Sequence, residues 1–371
     1  MISPDDIAAI GRCLSNRLDG TAFHRNAIAG VIGDSPSQYS KSPRLWNAAF
    51  RHLQMNAVYV PFDVEDARIG DLLSALRRCE DFMGVNVTVP YKIRVMDFLD
   101  SIDDDARRIQ AVNTIVRAAD GKLIGYNTDG EGFIDSIRIR QPGRSESFLP
   151  CHEGMTVLLL GAGGSARAVA LHLADHLAAG RLIVCNRTAA LSSSLTAEIQ
   201  KDGRDAIAIS EEELPLWAPR AGLIVNCTTK GQGGRRRLPN GMATFLGPYS
   251  ALSPAHPPQF AASEIDQPNF ERRWSEAAGK DIQSNHQASI QLAATIPSHV
   301  GFYDLIYHPE ETVFLRHGKS TGHPTMNGKA MIVNQAVIAF CQRICRFELR
   351  RRQIDTPETR DEILQIMYRA W

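Results

Sequence analysis

Three short segments in the first half of the chain carry polar side chains where packing alone would not ask for them. Tyr39-Ser40-Lys41-Ser42-Pro43 sets two hydroxyls two residues apart. In an extended stretch that spacing turns side chains the same way, so Ser40 and Ser42 can point at one anion such as a carboxylate. Pro43 favours extension in Ser42 and also suits a first helical turn, so Ser42 can equally be read as the N-cap of a helix over Arg44–Leu53. Asn86-Val87-Thr88-Val89-Pro90-Tyr91-Lys92 puts Asn86 and Thr88 on one face of a strand, with Lys92 just past its end. Asn113-Thr114 follows, then Asn127-Thr128-Asp129-Gly130 after a short strand Leu123–Tyr126. Amide, hydroxyl, ammonium and carboxylate together resemble a site for a polyol acid. Each taken singly has a plainer role, Lys92 as a solvated lysine and Asp129 as the cap of a helix over Glu131–Ile137.

A second concentration of chemistry begins at Val157-Leu158-Leu159-Leu160, which leads into Gly161-Ala162-Gly163-Gly164-Ser165-Ala166-Arg167; Ala166, Val169, Ala170, Leu173 and Leu177 then recur at helical spacing. Strand, glycine turn and helix in that order suit a dinucleotide. Glycines let the backbone approach a pyrophosphate, and the helix N-terminus offers unpaired N–H groups and a favourable dipole. The alternative is a tight turn of purely structural use. The next strand, Leu182-Ile183-Val184-Cys185, ends in Asn186-Arg187-Thr188 and lacks the acid that usually bonds the ribose hydroxyls of NAD. Arginine and hydroxyl there suit a 2′-phosphate, with Arg167 as a second positive charge. NADP is therefore the expected cofactor, with NAD as the alternative.

These groups need elements to hold them. Apolar, β-branched runs at Ala27–Ile32, Ala57–Phe62, Gly84–Val89 and Val112–Val116 alternate with helical spacing at Leu45–Leu53 and Ile69–Leu76, which predicts a parallel sheet. The polar segment Gln141–Ser147 reads as a domain boundary. A second α/β series runs through Thr156–Leu160, Leu182–Cys185, Ala206–Ile209, Leu223–Cys227 and Phe302–Leu305. The stretch from Gln232 to Val300 contains Arg235-Arg236-Arg237, the Pro-rich Pro248–Pro258 and a helical candidate at Glu271–Ala278; it is long for one connection and reads as a subdomain or partner surface. Glu362–Trp371 reads as a solvated terminal helix, and residues 1–26 as an extension with one helix.

Composition narrows the function classes. Among 371 residues Lys+Arg 41 balances Asp+Glu 41, so no overall positive field gathers nucleic acid or an anionic membrane, and a small molecule is the expected partner. Seven scattered cysteines (Cys13, Cys79, Cys151, Cys185, Cys227, Cys341, Cys345) form no CxxC pair. That pattern fits a reducing compartment and no metal site. The start Met1-Ile2-Ser3-Pro4-Asp5-Asp6 is unlike a signal peptide, and no apolar run approaches 18 residues. A cytoplasmic protein, monomer or homodimer, is expected.

In order along the chain, Ser40-x-Ser42-Pro43, Asn86-Val87-Thr88-x-Pro90-x-Lys92, Ala111-Val112-Asn113-Thr114 and Asn127-Thr128-Asp129-Gly130 resemble the motifs of shikimate dehydrogenases and their quinate-using relatives. The resemblance continues through Gly161–Gly164, Asn186-Arg187-Thr188, Val225–Thr228, Tyr303–Tyr307 and Met331–Gln335, covering roughly Ala29 to Phe340. It implies that Ser40 and Ser42 hold a substrate carboxylate with Tyr303 nearby. Asn86, Thr88, Asn113, Asp129 and Gln335 would meet ring hydroxyls, and Lys92 with Asp129 would form the catalytic pair. It further implies an α/β substrate domain (27–140) and a Rossmann NADP-binding domain (152–325, with an insertion at about 232–300). Helices over 326–371 would return to the first domain, bringing Gln335 to a cleft between domains, and Met331 would lie at the nicotinamide.

Two departures stand out. The family usually has a basic residue where this chain has Leu191, and usually reads Gly-x-Gly-Met where this chain reads Gly328-Lys329-Ala330-Met331. Within the class, quinate or an aminoshikimate or aminoquinate substrate is the alternative. From another class, some relatives are ligand-sensing regulators that have lost catalysis, against which Lys92, Asp129 and the glycine turn all argue.

Overall fold

The strands of the first half and their flanking helices grow from the alternation just described, with one revision of direction. In a computed structural model describing residues 2–18, 26–149, 154–177, 179–238 and 240–371, the chain divides into two units. One comprises Met1–Asp135 with Ile332–Trp371, the other Ser136–Met331. The change falls inside the helix Asp129–Arg138, upstream of the polar segment Gln141–Ser147. Cys151 lies outside the described residues.

The first unit holds β1 (Ala27–Gly33), β2 (Ala57–Asp63), β3 (Phe82–Val87), β4 (Ser101–Ile102), β5 (Thr114–Arg117) and β6 (Leu123–Tyr126), in the order β2-β1-β3-β5-β6-β4. The sheet is mixed. β1 runs parallel to β2 and β3, but β5 is antiparallel to both β3 and β6. The parallel sheet expected for this half is therefore interrupted at β5; between β5 and β6 the short turn Ala118–Lys122 can only return the chain antiparallel, since a parallel crossover needs a dozen or more residues.

Both faces of this sheet are covered, and β1 shows why. Ile28 and Ile32 enter one core with Val60, Phe62, Leu72 and Leu76, while Ala29 and Val31 enter the other with Trp46, Phe50 and Tyr59. The N-terminal helix Pro4–Gly11 adds Ile10 to the first core. The second core is closed by the C-terminal helices through Val333, Val337, Phe340, Ile363, Leu364 and Met367. The terminal helix Pro357–Arg369 is thus not a solvated one as expected. Its early turns are charged, yet its short apolar stripe is buried, and Arg360 bonds Asp135 at 2.5 Å.

The second unit carries β7 (Thr156–Leu160), β8 (Arg181–Cys185), β9 (Asp205–Ile209), β10 (Leu223–Asn226), β11 (Arg235–Arg237), β12 (Met242–Phe245), β13 (Phe260–Ala261), β14 (Gly301–Asp304) and β15 (Thr325–Met326). Its main sheet runs β15-β14-β10-β7-β8-β9, parallel throughout. Numbered within the sheet, that is the dinucleotide-binding order 3-2-1-4-5-6, and the order reverses between β7 and β10.

The long connection is a small antiparallel sheet, β11-β12-β13, followed by one continuous helix, Phe270–Thr295. The helix outruns the Glu271–Ala278 expectation because two polar residues interrupt its buried stripe of Trp274, Ala278, Asn285, Ser289 and Leu292. Asn285 is buried for a reason legible only in three dimensions. It accepts the Ser250 N–H at 2.8 Å and donates to the carbonyls of Ser250, Ser253 and Pro254 at 3.2, 3.2 and 2.9 Å. Of the described helices, none is long and apolar enough to cross a membrane.

Candidate active site

Lys92 leaves the sheet just after β3, and hydrogen bonds fix its loop at both ends. Thr88 N–H donates to the Ile32 carbonyl at 2.9 Å, Val112 N–H donates to the Lys92 carbonyl at 2.8 Å, and the Tyr91 hydroxyl donates to the Val64 carbonyl at 2.8 Å. Asn127 makes the turn before the helix Asp129–Arg138, its side chain accepting the Asp129 N–H at 3.0 Å and donating to the Ala111 carbonyl at 2.9 Å. The Asp129 carboxylate meets Lys92 Nζ at 2.5 Å, with the lysine side chain 25% exposed and the carboxylate 8%. An ammonium has three donors, so this one remains reachable from outside after binding Asp129.

Behind the pair, donors run in one direction. Asn113 Nδ2 donates to Asp129 Oδ1 at 2.8 Å, which leaves Asn113 Oδ1 to accept from the Thr128 N–H and from Thr114 Oγ1, both at 2.9 Å. Thr114 Oγ1 in turn accepts from Asn86 Nδ2 at 3.0 Å, and Asn86 Oδ1 accepts from the Tyr59 hydroxyl at 2.7 Å. A carboxylate only accepts, so the amide orientation of Asn113, and through it the whole chain, is determined by Asp129. Such chains polarise one another in a low-dielectric interior. Tyr59 is held at both backbone atoms by Asn47 and stacked on Trp46 with ring centroids 4.7 Å apart. Burial lifts its hydroxyl well above the usual tyrosine range, opposed by hydrogen bonding to Ser42 and Asn86, so it stays a donor at neutral pH.

Gln335 reaches this cluster from far along the chain. Its Oε1 lies 3.3 Å from Thr128 Oγ1 and 3.4 Å from Asn113 Nδ2. Gly132 makes the approach feasible: a Cβ there would stand 2.6 Å from the Gln335 backbone nitrogen, so a side chain would push the C-terminal helix away. Ser40 and Ser42 are half-buried. Ser40 Oγ accepts the Ser42 N–H at 3.2 Å, and the helix Ser42–His52 begins at Ser42 itself without a side-chain cap. The N-cap reading of Ser42 is therefore set aside, and its hydroxyl faces Tyr59 instead. Thr88 is half-buried at the end of β3.

The second unit presents the other set. Gly161 turns at φ 109, and a Cβ there would stand 3.1 Å from the Cys227 backbone of the strand-end loop after β10. Around Gly163 and Gly164 an added Cβ would meet nothing within 4 Å, and the helix Gly164–His176 has no side-chain cap, leaving its first N–H groups for an anion. Ala162 is half-buried and Ser165 exposed in the same turn. These residues fit a dinucleotide pyrophosphate at the point where the strand order reverses.

Beyond β8, Asn186 and Arg187 line a pocket of about 220 Å³ with Gly161 and Thr228. Asn186 Nδ2 donates to the Thr188 carbonyl at 2.9 Å, shaping that loop. Arg167 bonds Glu198 at 2.5 Å, both largely buried. Met331 is buried near the start of the helix Lys329–Ile338. Tyr303 is fully buried, its hydroxyl 2.8 Å from Ser136 Oγ and its ring edge-on to Phe148.

Two residues escaped sequence reading. Tyr59 looked like strand core because an aromatic in an apolar run always does. Arg236 looked like part of a surface run, although period-two alternation would have separated it from Arg235 and Arg237.

Residues 31–115 match the model of the shikimate dehydrogenase substrate binding domain. The shikimate dehydrogenase (NADP(+)) of Desulforamulus reducens is 35% identical over 333 residues, 89% of this chain and 92% of that one. Its counterpart in Symbiobacterium thermophilum is 33% identical over 84% of this chain and 87% of its own. The crystal structure of shikimate 5-dehydrogenase from Thermus thermophilus in complex with NADP(H) and shikimate is 25% identical, covers 93% of this chain and 100% of its own, and superposes with a TM-score of 0.61. Identity at this level over most of both chains shows kinship as well as fold, and the chain belongs to the shikimate dehydrogenase family.

Proposed function

We propose that this chain is an NADP-dependent dehydrogenase interconverting 3-dehydroshikimate and shikimate. The observation that carries the reading is the Lys92–Asp129 pair at 2.5 Å, anchored by Asn113 and reachable through a partly exposed lysine, in a chain 35% identical to a shikimate dehydrogenase (NADP(+)).

A bound nicotinamide supplies or takes up the hydride. Lys92 donates a proton to the carbonyl oxygen as it becomes an alkoxide, and in the reverse direction its neutral form accepts the hydroxyl proton. Asp129 holds the ammonium in place and bonds a neighbouring substrate hydroxyl. Ser40 and Ser42 take the substrate carboxylate, while Asn86, Thr88, Asn113 and Gln335 face the ring hydroxyls. On the cofactor side, Gly161, Ala162, Gly163, Gly164 and Ser165 cradle the pyrophosphate. Asn186, Arg187 and Thr188 would receive the adenosine end, and Met331 would lie on the nicotinamide side.

Steady-state turnover of shikimate and of quinate, each with NADP⁺ and with NAD⁺, tests this. Shikimate with NADP⁺ should give the highest kcat/KM of the four. A preference for quinate or for NAD⁺ would revise the substrate or the cofactor, and no turnover of either acid would overturn the enzyme reading.

A further inference from the structure

The pocket beyond β8 has a second wall that comes from the long connection. Arg236, Leu246 and Gln259, from the small sheet and its loops, line it together with Asn186, Arg187 and Gly161. The three arginines of β11 are not equivalent. Arg235 bonds Asp266 and Glu271, and Arg237 bonds Asp266, at 3.2–3.4 Å. Strand alternation turns Arg236 to the other face, where among the described residues no carboxylate bonds it.

The charges around the pocket are otherwise spent. Lys230 and Glu211, both lining it, neutralise each other at 2.5 Å with side chains 13% and 16% exposed. Arg167, the second cation that the sequence suggested, is committed to Glu198. Arg187 and Arg236 therefore remain as two guanidinium groups lining one pocket with no bonded carboxylate among the described residues. Arg236 is exposed as a residue, yet desolvation of its guanidinium holds it below the usual arginine value.

We infer that Arg236 is a specificity residue for the adenosine 2′-phosphate, closing on it from the small sheet while Arg187 holds it from the end of β8, so that β11 supplies the second cation of the pocket. This rests on the NADP reading above. Guanidinium suits the role because its planar fork bonds two phosphate oxygens at once. The wall that carries it is braced: Trp274 Nε1 bonds Thr244 Oγ1 and the Pro258 carbonyl at 3.1 and 2.9 Å, so β12 presents β11 in a fixed position.

The test is calorimetric binding of adenosine 2′,5′-bisphosphate and of adenosine 5′-monophosphate to the full chain, wild type against Arg236→Ala, Arg236→Lys and the outer-face control Arg235→Ala. A charge-assisted bond is worth a factor of roughly 10 to 100 in affinity. Arg236→Ala should lose about that factor for the bisphosphate and nothing for the monophosphate. Arg236→Lys should recover part of the loss, and Arg235→Ala should match wild type. If wild type prefers the bisphosphate and Arg236→Ala keeps that preference, or if Arg235→Ala loses it equally, the assignment of Arg236 is overturned. If wild type itself binds the two nucleotides alike, the NADP reading fails instead, and this inference with it.

Discussion

Around Asp129 the donors converge on one carboxylate: Tyr59, Asn86, Thr114 and Asn113 hand the polarity along from behind, and Lys92 meets it from the accessible side. In the pocket beyond β8 the arrangement is the reverse, since Arg187 and Arg236 line open volume while Lys230 beside them is consumed by Glu211, and Arg167 in the helix after the glycine turn by Glu198. A group that must move a proton needs its position set before substrate arrives, so its partners are internal and satisfied. A group that must capture an anion needs its charge left over. The first surface is therefore recognised by what is bonded, the second by what is not.

The sharpest way to break this comparison is to remove the proposed proton carrier. Lys92→Ala should lower kcat by about 10²–10⁴-fold with a much smaller change in KM, measured where a deuterium isotope effect shows chemistry to be rate-limiting. Asp129→Asn should also be severe, and the double variant should lose far less than the product of the single losses, as the proposed joint action of the two requires. Multiplicative losses would mean that the pair is not coupled.

A buried carboxyl without a cation offers a contrast within the second unit. Asp304 receives Thr312 Oγ1 at 2.6 Å, the Ile306 N–H at 2.9 Å and Asn226 Nδ2 at 3.0 Å, yet burial outweighs these donors and pushes its carboxyl up to about 7. A folded-state value above the unfolded one means that the folded chain holds the proton more tightly. The stabilisation is complete below the unfolded value and is lost as pH rises to about 7. Relative to Asp304→Asn, wild type should thus lose stability between about pH 4 and 7, on the order of a few kcal/mol in denaturant unfolding. A flat difference across that range would show that Asp304 is already ionised there.

The smallest effect is expected at the far end of the donor chain. Tyr59→Phe removes one hydroxyl and leaves Asn86 Oδ1 without that donor, so it should lower stability by about 1–2 kcal/mol. It should reduce kcat only a few-fold and leave NADP⁺ affinity unchanged. A loss as large as that at Lys92 would place Tyr59 in direct contact with the reacting substrate.

Much of this could be read without coordinates, for local reasons. The glycine turn between β7 and its helix is specified by residues adjacent in the chain, and so are the side-chain types at Asn86, Thr88, Lys92, Asn113 and Asp129 that suit a polyol acid. The hairpin of β5 and β6 was also local information, carried by a turn too short for a parallel return, and reading only the alternation of strands concealed it. Boundaries were harder wherever a polar residue sits in a buried stripe, as Asn285 does, because periodicity registers only apolar faces.

What remained was decided by pairing across distance. Nothing near Arg167 in the chain shows that Glu198 will neutralise it, and nothing near Arg236 shows that its neighbours will take Asp266 and Glu271 while it takes no carboxylate among the described residues. Gln335 joins Thr128 because Gly132 lets two helices touch, a contact between residues 207 positions apart. The sequence by itself determined which kinds of chemistry were present and which short segments carried them. Only the tertiary structure decided which charges were spent on one another and which were left for a ligand, because that depends on geometry between elements that the chain brings together late.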